Sequence, residues 1–147
     1  MGKVGENMQQ SNLATEWCLL QNQFDSYEKY SLLIKLTSIG LLVAAYLANN
    51  LSVFVGLLLL LLWLQDAIWK TFQARIDTRL LQLEEYLSAE HKQTAIESKA
   101  YQFNRLYLQQ RPTNAGLIIE YCQQALRPTV AYPHIVLQLM LGYTLLF

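Results

Sequence analysis

Residues 36–65 read LTSIGLLVAAYLANNLSVFVGLLLLLLWLQ, thirty consecutive positions without Asp, Glu, Lys, Arg or His, bracketed by Lys35 and Asp66. A membrane-spanning helix needs about 20 apolar residues, so residues 31–48 and 51–69 are each about one crossing long. Between them stands Asn49-Asn50. Two adjacent amides suit a turn, because Asn bonds its own backbone and tolerates the left-handed region. The stretch therefore predicts a transmembrane helical hairpin. A soluble core helix keeps one polar face, and neither of these helices has one. The run also begins too late, and is roughly twice too long, for a cleaved signal peptide.

The flanks orient the hairpin. Lys29 and Lys35 precede the first span, and Lys70, Arg75 and Arg79 follow the second, whereas the Asn turn is uncharged. The positive-inside rule puts both ends in the cytoplasm and the turn outside. Tyr27, Tyr30, Trp63 and Trp69 then mark the inner interface, with Tyr46 and Phe54 near the outer one. Folding the chain about the turn brings a small-residue stripe, Gly40, Ala44 and Ala48, against Ser52 and Gly56. Small residues let helix backbones approach in lipid, so this is the expected packing seam within the chain, with a dimerisation stripe as the alternative. The same folding sets Lys35 opposite Leu64 and Asp66 opposite Leu33, at nearly equal depth. The two charges form a candidate intramembrane pair. The structural alternative is that Lys35 snorkels to the headgroups while Asp66 is served by Lys70, one turn along its helix.

Composition agrees with a membrane protein. Of 147 residues, 53% are hydrophobic and 15% charged, against a usual charged share of about 25%. Eleven Lys and Arg balance eleven Asp and Glu, so there is no basic footprint for nucleic acid.

Outside the hairpin the pattern is amphipathic. Leu13, Trp17, Leu20 and Phe24 recur at helical spacing among polar residues, predicting an N-terminal helix that runs straight into the first span. This stripe needs cover, and the helix is too acidic for a typical interfacial one. A partner surface is therefore expected there. After Trp69, Phe72, Ile76, Leu80, Leu83 and Leu87 follow one helical face; Ile96, Ala100, Phe103 and Tyr107 form a second stretch beyond an expected break at residues 88–92. The irregularity near His91 speaks against a coiled coil. Arg111-Pro112-Thr113-Asn114 predicts a stop and restart, with Asn114 as the cap. Arg127-Pro128 opens a last segment with no Asp, Glu, Lys or Arg. Its purely apolar part, residues 135–147, is about 20 Å long as a helix, and Pro133 would kink a longer one. The choice is between a third span, with Arg105, Arg111 and Arg127 holding its start inside, and a re-entrant piece.

The expected organisation is all-α. Residues 1–30 form an amphipathic helix, 31–69 the hairpin, 70–126 cytoplasmic helices and 127–147 a hydrophobic terminal segment.

Chemistry is sparse. The six glycines are scattered, so no nucleotide loop is present. His91 and His134 are isolated in sequence, and no metal-ligand spacing occurs. His134, after Pro133, reads as an imidazole bonded to a backbone carbonyl. Cys18 and Cys122 are expected as free thiols, Cys18 being a weak acceptor for palmitate. Glu84, Glu85 and Glu90 read as a solvated face. Neither catalysis nor a cofactor is expected.

These features fit a small non-enzymatic scaffold, accessory or regulatory subunit of the bacterial inner membrane. Its partners would be the lipid bilayer and either copies of itself or other membrane subunits. Over residues 25–110 the arrangement also resembles, in architecture alone, the two-span effectors of bacterial defence systems, which implies membrane-disrupting oligomers. A transporter or channel subunit built on Lys35 and Asp66 is the third class.

Overall fold

The structure, a computed structural model, describes residues 2–88 and 113–147. Within them the chain is all-helical: α1 (Gly2–Leu47), α2 (Val53–Ser88), α3 (Asn114–Ala125) and α4 (Pro128–Leu146). The first two are long because nothing stops them. No proline precedes Pro112, and α1 has no glycine between Gly5 and Gly40. Three helices, α1, α2 and α4, are long and apolar enough to cross a membrane.

The turn after α1 follows from its asparagines. Asn49 takes a positive φ of 50°. Its N–H donates to Tyr46 O at 3.0 Å, and the Asn50 N–H reaches back to Ala45 O at 3.0 Å. This is a Schellman closure with Asn in the left-handed position usually given to glycine.

Thr113, rather than Asn114, caps α3, its hydroxyl accepting from the Gly116 N–H at 3.3 Å. Helix α4 starts with Pro128 in its first turn, where a missing N–H costs nothing. It continues through Pro133 for 19 residues, about 28 Å. That is close to the hydrocarbon thickness of about 30 Å. The long form of the terminal segment is therefore the one adopted.

The chain divides into two compact units, one of Met1–Ser26 with Gln73–Pro112, the other of Tyr27–Phe72 with Thr113–Phe147. In the first, Leu13, Leu20, Ile76, Leu80 and Leu83 are buried. Arg79 grips Glu16 through two bonds, Nε to Oε1 at 2.9 Å and Nη2 to Oε2 at 3.2 Å. Trp17 Nε1 donates to Glu84 Oε1 at 3.2 Å, and Gln73 Nε2 to Phe24 O at 3.4 Å. The stripe expected to await a partner is thus met by this chain. Leu13 and Leu20 are covered, and Trp17 and Phe24 are half-buried. The physical reason is complementarity: α2 carries its own apolar row, Ile76, Leu80 and Leu83, in the same unit. Helix α2 is described as far as Ser88, so the break expected at 88–92 falls at and beyond the edge of the described residues. The stretch carrying Ile96, Ala100, Phe103 and Tyr107, together with His91, Glu90, Arg105 and Arg111, lies outside the described residues.

The second unit has a core of Leu42, Val55, Leu59, Leu137 and Leu141, drawn from α1, α2 and α4. Near its other end, Trp69 lies 5.1 Å from Tyr27 and 5.5 Å from Tyr30 between ring centroids.

Candidate functional site

Polar residues on the hydrophobic helices of the second unit decide which faces turn inward. Ser31, Lys35 and Ser38 lie on one side of α1 at spacings of four and three, and Leu42 continues that row. Ser31, Ser38 and Leu42 are buried. An ammonium facing hydrocarbon costs roughly 2.5 to 3.5 kcal/mol at mid-bilayer on insertion scales, and a serine hydroxyl there has only the carbonyls of its own helix as partners. Burying them against polar groups of neighbouring helices removes that cost.

Asp66, fully buried on α2, is the group that Ser31 and Lys35 meet, while the Ser38 hydroxyl donates to Ile34 O of its own helix at 2.9 Å. Ser31 Oγ donates to Asp66 Oδ1 at 2.5 Å. Lys35 Nζ stands 3.7 Å from Oδ2. His134 Nε2, from α4, stands 3.4 Å from the same oxygen. One carboxylate thus joins α1, α2 and α4. Lys35 is turned inward, and Nζ also donates to Thr129 O at 2.9 Å. That is not the snorkelling geometry expected for it.

A tryptophan closes the cluster. The Trp63 ring is nearly parallel to the His134 imidazole, 10° apart in plane at 6.1 Å between centroids. Its Nε1 donates to Ala125 O at the end of α3, 3.1 Å away. His134 is almost fully buried, and among the described residues its Nδ1 has no hydrogen-bond partner. The carbonyl expected for His134 is replaced by Asp66.

The chemistry open to this arrangement is limited by who addresses whom. Ser31 and His134 both face Asp66, and among the described residues no hydrogen bond joins them to one another. A hydrolytic nucleophile needs direct contact with its base, so the set does not form a Ser-His pair. Among the described residues no three His, Cys, Asp or Glu converge on a metal position. What remains is an ion pair bridged to an imidazole inside an apolar bundle. It can clasp helices and can hold a proton.

The expected seam of small residues needs correction. Gly40, Ala44 and Ala48 are exposed, and among the described residues a Cβ at Gly40 would meet nothing within 4 Å. Gly56 is used, but against α4: a Cβ there would lie 3.2 Å from Leu141 Cδ2. Gln138 Nε2 donates to Gly56 O at 3.0 Å, while Ser52 is half-buried. The rotation has a physical cause, since the inward face of α1 is set by Ser31, Lys35 and Ser38, and the small stripe lies on another face. Cys18 and Cys122 are exposed free thiols. The chain matches no protein-family model, no curated protein and no solved structure.

Proposed function

We propose that the protein is a small non-enzymatic integral membrane protein that serves as a scaffold, accessory or regulatory subunit of a membrane assembly. The placement we infer is the bacterial inner membrane, with the N-terminus cytoplasmic, the Asn49-Asn50 turn outside and α4 crossing outward from Arg127. The observation that supports this is how polar and apolar groups are distributed in the second unit. Ser31, Lys35 and His134 gather around the buried Asp66, whereas Leu32, Leu36, Ile39, Val43 and Tyr46 stand exposed along α1. Their spacing alternates four and three, which suits contact with another helix as well as with lipid.

The test is the mass of the particle extracted in mild detergent, measured by light scattering. A complex larger than one chain is expected, and Ile39→Asn with Val43→Asn should disperse it while membrane insertion persists. A lone monomer under every gentle extraction overturns the proposal.

One observation favours a second reading, a subunit of a proton or ion path: among the described residues the buried His134 has a ring nitrogen without a partner, and its other nitrogen stands beside the Asp66 carboxylate. Proton flux in proteoliposomes that is lost in both Asp66→Asn and His134→Gln, with assembly intact, would replace the scaffold reading by this one.

A further inference from the structure

Helix α3 turns large apolar side chains outward while it buries a glutamine. Its exposed positions are Ala115, Ile118, Ile119, Cys122 and Gln123, continued by Leu126, and they recur at the helical period. Ile118 is 63% exposed, Ile119 58% and Leu126 70%. The opposite side carries Glu120 and Gln124 together with the half-buried Leu117 and Tyr121, and Gln124 is buried. In water this would leave two isoleucines and a leucine solvated on a helix of 12 residues.

The chain connection fixes what these residues face. Helix α3 ends at Ala125 and α4, an apolar helix of spanning length, begins at Pro128. That step spans at most about 10 Å at full extension. Trp63, inside the apolar run of α2, holds the Ala125 carbonyl at 3.1 Å. The C-terminal end of α3 is therefore pinned beside membrane-embedded side chains. Arg127, exposed between α3 and α4, and Arg111 just before α3 in sequence bracket it with positive charge.

We propose that α3 is an in-plane membrane anchor whose Ile118, Ile119 and Leu126 face lies in the boundary between headgroups and acyl chains. The occupant of that face is the lipid of the bilayer that α4 crosses, and the proposal rests on α4 crossing it. Interfacial helices of this kind bury their apolar side about 5–10 Å into the boundary, and flanking arginines favour anionic headgroups. The helix then sets the depth of Trp63 and of the Asp66 cluster relative to the inner surface.

The test uses a nitroxide at native Cys122 in a Cys18→Ser background, and at Ile118→Cys with both native cysteines changed to Ser. The full chain is reconstituted in vesicles of phosphatidylcholine and phosphatidylglycerol. Relaxation by oxygen should dominate at both sites, with loss of relaxation by a water-soluble nickel chelate. A label at Asn49→Cys in the turn should show the reverse. Strong nickel relaxation at positions 118 and 122 overturns the proposal. So do labels shielded from both reagents, which indicate protein cover, and dipolar broadening relieved by dilution with unlabelled chain, which indicates a second copy. A label at Leu139→Cys, exposed on α4, separates the two claims. Nickel access there means that α4 does not cross, whereas oxygen access there with nickel access at 118 refutes the anchor alone.

Discussion

Lys35 Nζ donates to the carbonyl of Thr129, four residues before Pro133, at 2.9 Å. In a regular helix that carbonyl accepts from the N–H of residue 133, and proline has none. The proline thus frees an acceptor inside the hydrophobic unit, and the lysine of another helix takes it. Removing one partner of a buried charge pair leaves the other uncompensated, at about 3–5 kcal/mol for full burial. Lys35 retains 19% side-chain exposure, so the lower end is appropriate. Lys35→Met should lower stability in detergent by about 2–3 kcal/mol, whereas Lys29→Met, at an exposed position, should change little. Thermal unfolding of the purified variants checks this, and equal melting temperatures would count against the inward geometry.

Asp66 offers a second test by double-mutant cycle. Ser31→Ala removes the hydroxyl donor and His134→Gln removes the imidazole beside Oδ2. Interhelical hydrogen bonds within membranes average about 0.6 kcal/mol and reach roughly 1.7 in double-mutant cycles. The coupling between Ser31 and Asp66 should lie in that range. Zero coupling in reversible unfolding would show that the 2.5 Å contact contributes nothing.

Gly56 and Gly40 should respond oppositely to bulk. Gly56→Leu drives a side chain into Leu141 and the Gln138 amide, and overpacking of this kind costs about 1–3 kcal/mol. Gly40→Leu enters open space. A melting temperature lowered by Gly56→Leu and unmoved by Gly40→Leu or Ala44→Leu is the expected pattern. Equal loss at Gly40 would restore the small-residue seam.

Much of the fold is legible in the residues themselves. The uncharged run predicts two spans, Asn49-Asn50 predicts the turn, and the absence of a breaker before Gly40 predicts one continuous α1. The site is less legible. Folding about the turn places Lys35 and Asp66 at one depth, but depth alone does not give helix rotation, and rotation depends on where α4 docks. His134 is more than sixty residues from Asp66 in sequence, so no local spacing joins them. One signal was present, because Pro133 marks Thr129 as a carbonyl in need of a donor. Inward-facing Ser31, Lys35 and Ser38 were a second. A charged side chain facing lipid costs more than a small one, so the row with Lys35 outranks the small-residue stripe in setting the inward face of α1.

The clasp between Arg79 and Glu16 gives the last prediction, and it concerns the first unit. Both side chains are nearly buried, at 4% and 6% exposure, and the bonding is bidentate. Arg79→Ala alone leaves a carboxylate without its guanidinium, and Glu16→Ala alone strands the guanidinium; each should cost about 3–5 kcal/mol. Replacing both by apolar residues of similar volume, Arg79→Met with Glu16→Leu, should recover most of that loss, because neither charge then needs a partner. The double variant extends the apolar row of Leu13, Leu20, Ile76, Leu80 and Leu83 instead of interrupting it. Chemical unfolding of the four proteins, followed by the fluorescence of Trp17 in a Trp63→Phe, Trp69→Phe background, isolates this unit from the hairpin. Additive losses in the double variant would mean that the two residues act separately and that the clasp is not what joins residues 16 and 79.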